Sequence, residues 1–347
     1  MALKKTSIQA IRKQLQQAAR PLIFFDDDAD GLCSFLLAYT LNSEAKPLRA
    51  AMGPELKLAF SRYVTEHQPD HIFVLDKPRA DPQFFEEVRT PTTWIDHHDP
   101  TAQEPNTWPY NHLDYYNPAL NDKEDTRPVS YWMREITQGP LWIAATGCTS
   151  DWDASLLDEL RAEHPELLPA TNDLQEILFN SPLGQIIQTL NFSLKGSTSA
   201  INKNLRALTK ITTPQELLTP TTPASKHIHK HVKPLRAEYE RQLAQALNNE
   251  VQEGVLVHIY ENLQQSFVAD VANELLNKSE AEIIIVGRSD GERINLSMRS
   301  HNTQLPPLLE EALKHAEGYG GGHENACGGS IVARDLEAFL KAIKQTK

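Results

Sequence analysis

Three things are scarce in this chain, and each scarcity excludes something. There are only three cysteines, Cys33, Cys148 and Cys327, scattered and without a Cys-x-x-Cys pair. An odd, scattered set excludes a disulfide framework and a zinc ribbon, and points to a reducing compartment. No apolar run comes near the roughly 18 residues of a membrane span, and the opening Met1-Ala-Leu-Lys-Lys-Thr-Ser-Ile-Gln9 holds no apolar signal core. The expectation is a cytoplasmic protein with no membrane partner. Positive charge is also in short supply: 34 Lys and Arg stand against 46 Asp and Glu, a formal net charge of −12. That excludes an extended basic face for a long duplex, and limits any nucleic-acid partner to a short strand held locally.

What is present has the make-up of a globular chain, with 40% hydrophobic and 23% charged residues over 347 positions, enough for two domains with cores. The most informative stretch is Phe24-Phe-Asp-Asp-Asp-Ala-Asp-Gly-Leu-Cys-Ser34, with four aspartates in five residues between the apolar runs Leu22–Phe25 and Leu32–Tyr39. An apolar run of strand length, then acids and Gly, then a helical pattern, reads as the carboxyl end of a buried strand turning into a helix. Ligands bind at that edge in open α/β sheets. Packed carboxylates repel unless a cation lies between them, which hard divalent ions such as Mg2+ or Mn2+ supply. A helix cap explains one of these aspartates but not four.

Helical spacing of Ile8, Ile11, Leu15 and Ala18 predicts a helix over Ser7–Ala19. Strands are expected at Leu22–Asp26, Leu48–Met52, His71–Asp76, Thr92–His98 and His112–Asn117, with helices at Gly31–Leu41, Glu55–His67 and Asp81–Arg89 between them. Asp99–Asn111, rich in Pro and Thr, reads as a surface loop. This alternation argues for a parallel sheet with helices on both faces. Asp76 then ends one strand and Asp96-His97-His98 another, at the edge that carries the first acid cluster. Pro128–Ile136 and Leu141–Ala145 read as helical or buried. Thr146-Gly-Cys-Thr-Ser-Asp151-Trp-Asp153 offers either a fourth acid for the same edge or an ordinary helix cap.

From Asp153 to about Asn248 the pattern is largely helical. Within it Lys226–Arg241, with His227, His229 and His231 among lysines, reads as a solvated basic linker rather than a metal site. The last hundred residues or so alternate strands (Val255–Tyr260, Glu282–Arg288, Arg293–Ser300) with helices (Phe267–Lys278, Leu305–His315, Leu336–Lys344), and Asp290-Gly291 marks a hairpin. Gly318-Tyr-Gly-Gly-Gly-His323-Glu-Asn-Ala-Cys-Gly-Gly329 reads as a ligand loop whose backbone N–H groups and imidazole approach an anion.

Taken in order, Asp26-Asp-Asp28-Ala-Asp30-Gly31, Asp76, Asp96-His97-His98, Gly147 to Asp151, and Gly320-Gly-Gly-His323 with Ala326-Cys-Gly-Gly329 resemble the DHH phosphoesterase family across both halves of the chain. The resemblance implies an α/β fold. A larger N-terminal parallel-sheet domain (1–225), with a two-metal site that usually takes Mn2+ with Mg2+ as the other candidate, is joined by a helical linker (226–250). A smaller C-terminal DHH-associated α/β domain (251–347) then holds substrate across a cleft.

The resemblance makes Asp26 and Asp28 ligands to different metals, Asp76 the bridging carboxylate, and His97 and Asp151 further ligands. His98 faces the scissile phosphate, Asp96 orients a histidine or is itself a ligand, and Asp30, where relatives vary, is either a further catalytic acid or an acid standing behind the ligands. Arg299 and His323, with Gly321 and Gly322, bind the substrate's phosphate or terminal nucleotide. Two departures stand out: no His precedes the first Asp, and Asp76 is followed by Lys77-Pro78-Arg79.

The implied activity is metal-dependent release of nucleoside monophosphates from short oligonucleotides of RNA or DNA, of the nanoRNase type. A RecJ-like single-strand exonuclease, a cyclic dinucleotide or adenosine bisphosphate phosphoesterase, and an inactive replication-associated scaffold are the alternatives. Whether the chain forms a homodimer stays open.

Overall fold

The structure, a computed structural model, describes residues 3–51, 53–102, 108–261 and 265–347. The chain divides into two compact units, Met1–His231 and Val232–Lys347.

In the first unit, β1 (Pro21–Phe25), β2 (Lys46–Arg49), β3 (His71–Leu75), β4 (Thr92–Ile95) and β5 (Leu113–Tyr116) form a parallel sheet in the order β2-β1-β3-β4-β5. β1 is a continuous apolar run, and so is β3 from Ile72 onward. Every residue of β1 and β4 is buried, as a strand covered on both faces requires.

Helix α1 (Lys5–Gln17) buries Ile11 and Leu15. By contrast α2 (Ala29–Leu41) is buried without a break from Ala29 to Ala38, and α4 (Leu141–Ser150) from Leu141 to Thr149. Helices apolar all round belong in a core. Together with α3 (Val129–Thr137), they pack as a triplet that holds the start of α2 and the end of α4 in place. On the sheet, Phe24 lies edge-on to Phe60 and Phe84, and Phe25 stacks on Phe35 of α2. Each such ring contributes about 1.5–3 kcal/mol of burial.

In the second unit, β6 (Val255–Glu261), β7 (Ile283–Ser289), β8 (Arg293–Ser300), β9 (Gly318–His323) and β10 (Ala326–Val332) form a mixed sheet in the order β9-β10-β8-β7-β6. Only the β6/β7 pair is parallel. The Asp290-Gly291 turn closes the β7/β8 hairpin, with the Asp290 N–H donating to the Arg293 carbonyl and Gly291 at φ +96°. Leu305, Leu308, Leu309, Phe339 and Ile343 of two helices pack with Ile285, Met298 and Ile331 in one core cluster.

Four expectations change. Glu55–His67 is not one helix: Glu55–Leu56 pairs as a short strand with Arg79–Ala80, a 3-10 turn covers Leu58–Phe60, and the helix runs only from Ser61 to His67. The second strand sits at Lys46–Arg49, two residues early, because it registers against Leu22–Phe25; Met52, at the far end of the expected strand, lies outside the described residues. Lys226–Arg241 lies in a long helix, Pro223–Leu247, as a helical linker requires, but it is not solvated throughout, since Ile228, Val232 and Tyr239 are buried. Its His227, His229 and His231, which belong to the first unit, meet Asn204 Oδ1, the Glu216 carbonyl and the Lys195 carbonyl. Finally, the Gly-rich segment is no loop: Gly318–His323 pairs residue by residue with Ala326–Ile331 as an antiparallel hairpin. Of the expected surface loop Asp99–Asn111, residues 103–107 lie outside the described residues. No described helix is long and apolar enough to cross a membrane.

Candidate metal centre

Because the sheet is parallel, β1, β3 and β4 end at one edge. The order β2-β1-β3 means the chain reverses its direction of travel at β1, the switch point where α/β sheets open a crevice. Asp26 to Asp30, Asp76 and Asp96 to His98 are the residues that leave those three strands.

Asp76 carries the clearest signal. It sits at φ +61°, a left-handed conformation uncommon for any residue but Gly. Its side chain is 1% exposed, and neither carboxylate oxygen has a hydrogen-bond partner among the described residues. Oδ1 lies 3.4 Å from His97 Nε2 and 3.9 Å from His98 Nδ1. Burial, followed by the charges of Asp28 and Asp30, pushes this carboxyl well above the usual range. A buried acceptor left without a partner costs about 1–3 kcal/mol, and more for a charge, so the native state must supply something positive here.

The histidines are aimed by their neighbours. The Nδ1–H of His97 donates to the Thr126 carbonyl at 3.0 Å, which fixes the ring and turns Nε2 toward Asp76 and Asp151, 3.2 Å from the latter. Nε2 itself has no hydrogen-bond partner among the described residues. Burial alone would lower the His97 pKa, but the contacts with Asp151 and Asp76 outweigh it and hold the pKa far above the ordinary value. Asp96 is fully buried and spends both oxygens. Oδ1 meets His98 Nδ1 at 2.8 Å, and Oδ2 accepts from Tyr115 Oη and Asn117 Nδ2. Asp96 therefore positions His98, whose ring is 40% exposed.

Asp30 is fully buried and accepts the N–H groups of Val129 and Ser130, at 2.9 and 3.0 Å, where α3 begins with its unpaired amides. Burial, followed by the charge of Asp151, raises its pKa to about 6. Asp28 caps α2 by accepting the Gly31 N–H at 2.9 Å, and burial with the charges of Asp151, Asp26 and Asp30 lifts its pKa as well. Asp151 follows α4, which reaches the cluster because Gly147 has no side chain; a Cβ there would lie 2.4 Å from Ser130 Oγ and 3.0 Å from Asp30 Oδ1.

Two triads, Asp76 with His97 and His98, and Asp30 with His97 and Asp151, bring their ligand atoms within 4.8 Å of one another. Oxygen and imidazole donors pressed together, with the Asp76 oxygens and His97 Nε2 buried and without a hydrogen-bond partner among the described residues, suit a divalent cation. Asp26 is in neither triad: its Oδ1 meets the Lys77 ammonium at 2.8 Å.

The second unit has its own cavity, of about 410 Å3, lined among others by Ser266, Asn295, Ser297, Arg299, Gly321 and Gly322. The Arg299 guanidinium donates through Nε to Asn273 Oδ1 and through Nη1 to Ser297 Oγ and the Met298 carbonyl, leaving Nη2 without a partner among the described residues. Burial lowers its pKa. The six residues of β9 are exposed, so its glycines present bare backbone.

Residues 252–347 match the DHHA1 domain family. Among solved structures, RecJ from Thermus thermophilus in complex with Mn2+ has a TM-score of 0.66 at 16% identity, over 100% of this chain. The chain has the RecJ-like DHH fold, with a DHHA1 match over its C-terminal part. It spans 55% of that RecJ chain. An exopolyphosphatase-related protein from Bacteroides fragilis (TM-score 0.52, 16% identity, 99% of this chain and 98% of that one) shares the fold. So does the pGpG-specific phosphodiesterase PggH from Vibrio cholerae (TM-score 0.51, 13% identity, 94% and 98%). At these identities the likeness is one of fold. No curated protein matches the chain in sequence.

At the sheet edge, the structure gathers Asp30, Asp76, His97, His98 and Asp151, with Asp28 and Asp96 beside them. Asp30 falls in one triad by distance, while its two oxygens accept the Val129 and Ser130 N–H groups. In the DHHA1 domain, Arg299, Gly321 and Gly322 share a cavity, while His323 is exposed at the hairpin end and is not among the residues lining it. Sequence reasoning missed Thr126, Asn117 and Tyr115, which carry no local signal because each contributes one polar atom across the sheet edge.

The raised acids make a pH prediction. An Asp with a raised folded-state pKa binds more protons folded than unfolded between the two pKa values, so metal-free stability falls as pH rises through that window; a raised His has the same sign. Thermal unfolding in EDTA should therefore give a higher melting temperature at about pH 6 than at about pH 8, with Mn2+ raising it most at the higher pH. A Mn2+ increment that grows toward acid would remove these groups from the metal centre.

Proposed function

We propose that this chain is a divalent-metal-dependent phosphodiesterase that releases nucleoside monophosphates from short oligonucleotides. The observation that carries the reading is Asp76, a buried carboxylate in a left-handed conformation with both oxygens partnerless and His97 Nε2 at 3.4 Å. Asp28, Asp30, Asp76, His97 and Asp151 would hold the metal, Mn2+ or Mg2+, which supplies charge neutralisation and a water of lowered pKa. The chain's own residues do the rest. Asp96 holds His98 by Nδ1, placing its exposed ring to meet the scissile phosphate and move a proton. In the DHHA1 domain, Nη2 of Arg299, without a partner among the described residues, and the bare backbone of Gly321 and Gly322 suit a terminal phosphate.

A RecJ-like exonuclease acting on longer single strands is the second reading, and one observation favours it. A cavity of about 850 Å3 beside β2 is lined by Tyr39, Tyr63, Lys46, Arg62 and Arg206, and those three cations make no ion pair among the described residues. Aromatic faces among unpaired cations suit a strand that continues past the centre.

The test is turnover, with Mn2+, of a labelled RNA and DNA series from dinucleotide to about 20 nucleotides. Preference for the shortest members is the expected result. Sustained digestion of the longest single strands would replace it with the second reading, and no cleavage at any length would reject both.

A further inference from the structure

We propose that Lys77 is a built-in cation of the centre, which neutralises Asp26 and withdraws it from metal ligation. This rests on the metal reading of the same site and assigns one of its charges to the protein.

Lys77 is 0% exposed, and a lysine in that state needs its charge answered. An ammonium has three N–H donors and no acceptor. Three acceptors surround Nζ: Asp26 Oδ1 at 2.8 Å, the Gly53 carbonyl at 2.7 Å and the Ala50 carbonyl at 3.1 Å. A neutral amine has only two N–H groups and would leave one of these oxygens unserved, so the geometry is that of the charged form. The approach is built into the backbone. The left-handed turn at Asp76 redirects the chain after β3, and the Trp94 indole N–H donates to the Lys77 carbonyl at 2.9 Å, anchoring the residue from β4. Asp26 Oδ1 also accepts the Asp27 N–H at 2.7 Å, so this oxygen is engaged twice. Asp26 and Asp28 both lie outside the two triads of the centre, but only Asp26 is met by a buried ammonium. The remaining acids, Asp28, Asp30, Asp76 and Asp151, are thus the carboxylates left for a metal.

The test is Mn2+ titration of metal-free protein, read as free Mn2+ by electron paramagnetic resonance, for wild type, Asp26→Asn, Lys77→Met and Asp76→Asn. Asp26→Asn should bind as many ions as wild type, with affinity within about threefold, while Asp76→Asn should weaken binding by about tenfold or more. Lys77→Met should bind Mn2+ more tightly or take a further ion, because it frees a carboxylate. Loss of an ion, or a tenfold weakening, in Asp26→Asn would overturn the assignment.

If wild type binds no Mn2+, the phosphodiesterase reading fails, and the proposal is judged on thermal unfolding of Asp26→Asn, Lys77→Met and the double variant. Overlapping losses in melting temperature would support the pairing, and strictly additive losses would reject it.

Discussion

Asp76→Asn is expected to cut Mn2+-dependent turnover of a short oligonucleotide by about 10³-fold or more, the several kcal/mol of charge stabilisation that a metal clamp supplies. The metal-free variant should nevertheless melt no lower than wild type. Asn is chosen because, like Asp, it tolerates the left-handed backbone at φ +61°, where Ala would add strain. The side chain it replaces is 1% exposed, has no hydrogen-bond partner on either oxygen, and lies in the field of Asp28 and Asp30. Removing that charge relieves a desolvation cost in the metal-free state and removes a ligand in the loaded state, so activity and stability should move apart. Unchanged turnover would take Asp76 out of the centre. A marked loss of metal-free stability would mean that the carboxylate has a stabilising partner without any metal.

Gly31→Ala is expected to destabilise the first unit by about 1–3 kcal/mol, the range of a forced clash in a packed interior. A Cβ at Gly31 would lie 2.7 Å from both the backbone N and O of Asp26. Those are main-chain atoms, and the Asp26 N–H is tied to the Leu75 carbonyl of β3, so neither can step aside. The strain would pass to the turn that carries Asp26 and Asp28, and Mn2+ affinity should fall with stability. Melting temperature and Mn2+ titration of the one variant check both. A variant as stable as wild type would mean that the end of β1 is looser than its contacts indicate.

How much of this could be read beforehand differs from element to element. Leu22–Phe25 and His71–Leu75 announced themselves as buried strands because a strand covered on both faces is apolar at every position. The acids and histidines at the strand ends were legible for the same reason: a charge placed directly after such a run has nowhere to go but the sheet edge. The segment Glu55–His67 misled, since its helical pattern begins only at Ser61 and pairing with Arg79–Ala80 claims its start. The glycines at 318–322 misled in the opposite direction. Gly carries no local preference for a strand, and only the ladder with Ala326–Ile331 makes it one.

The candidate site divides the same way. Local pattern alone determined which side chains meet the edge of the sheet, because a parallel α/β unit delivers the residue after each strand to one place. The distribution of partners among them was decided by tertiary structure. Asp30 meets the amides of Val129 and Ser130, about a hundred residues away. His97 is aimed by Thr126, and Asp26 is answered by Lys77. Equivalent carboxylates in one short motif differ only in what the rest of the chain places beside them. Coulomb attraction and desolvation act over a few ångströms in space whatever the separation in sequence, so the role of each aspartate was settled by packing.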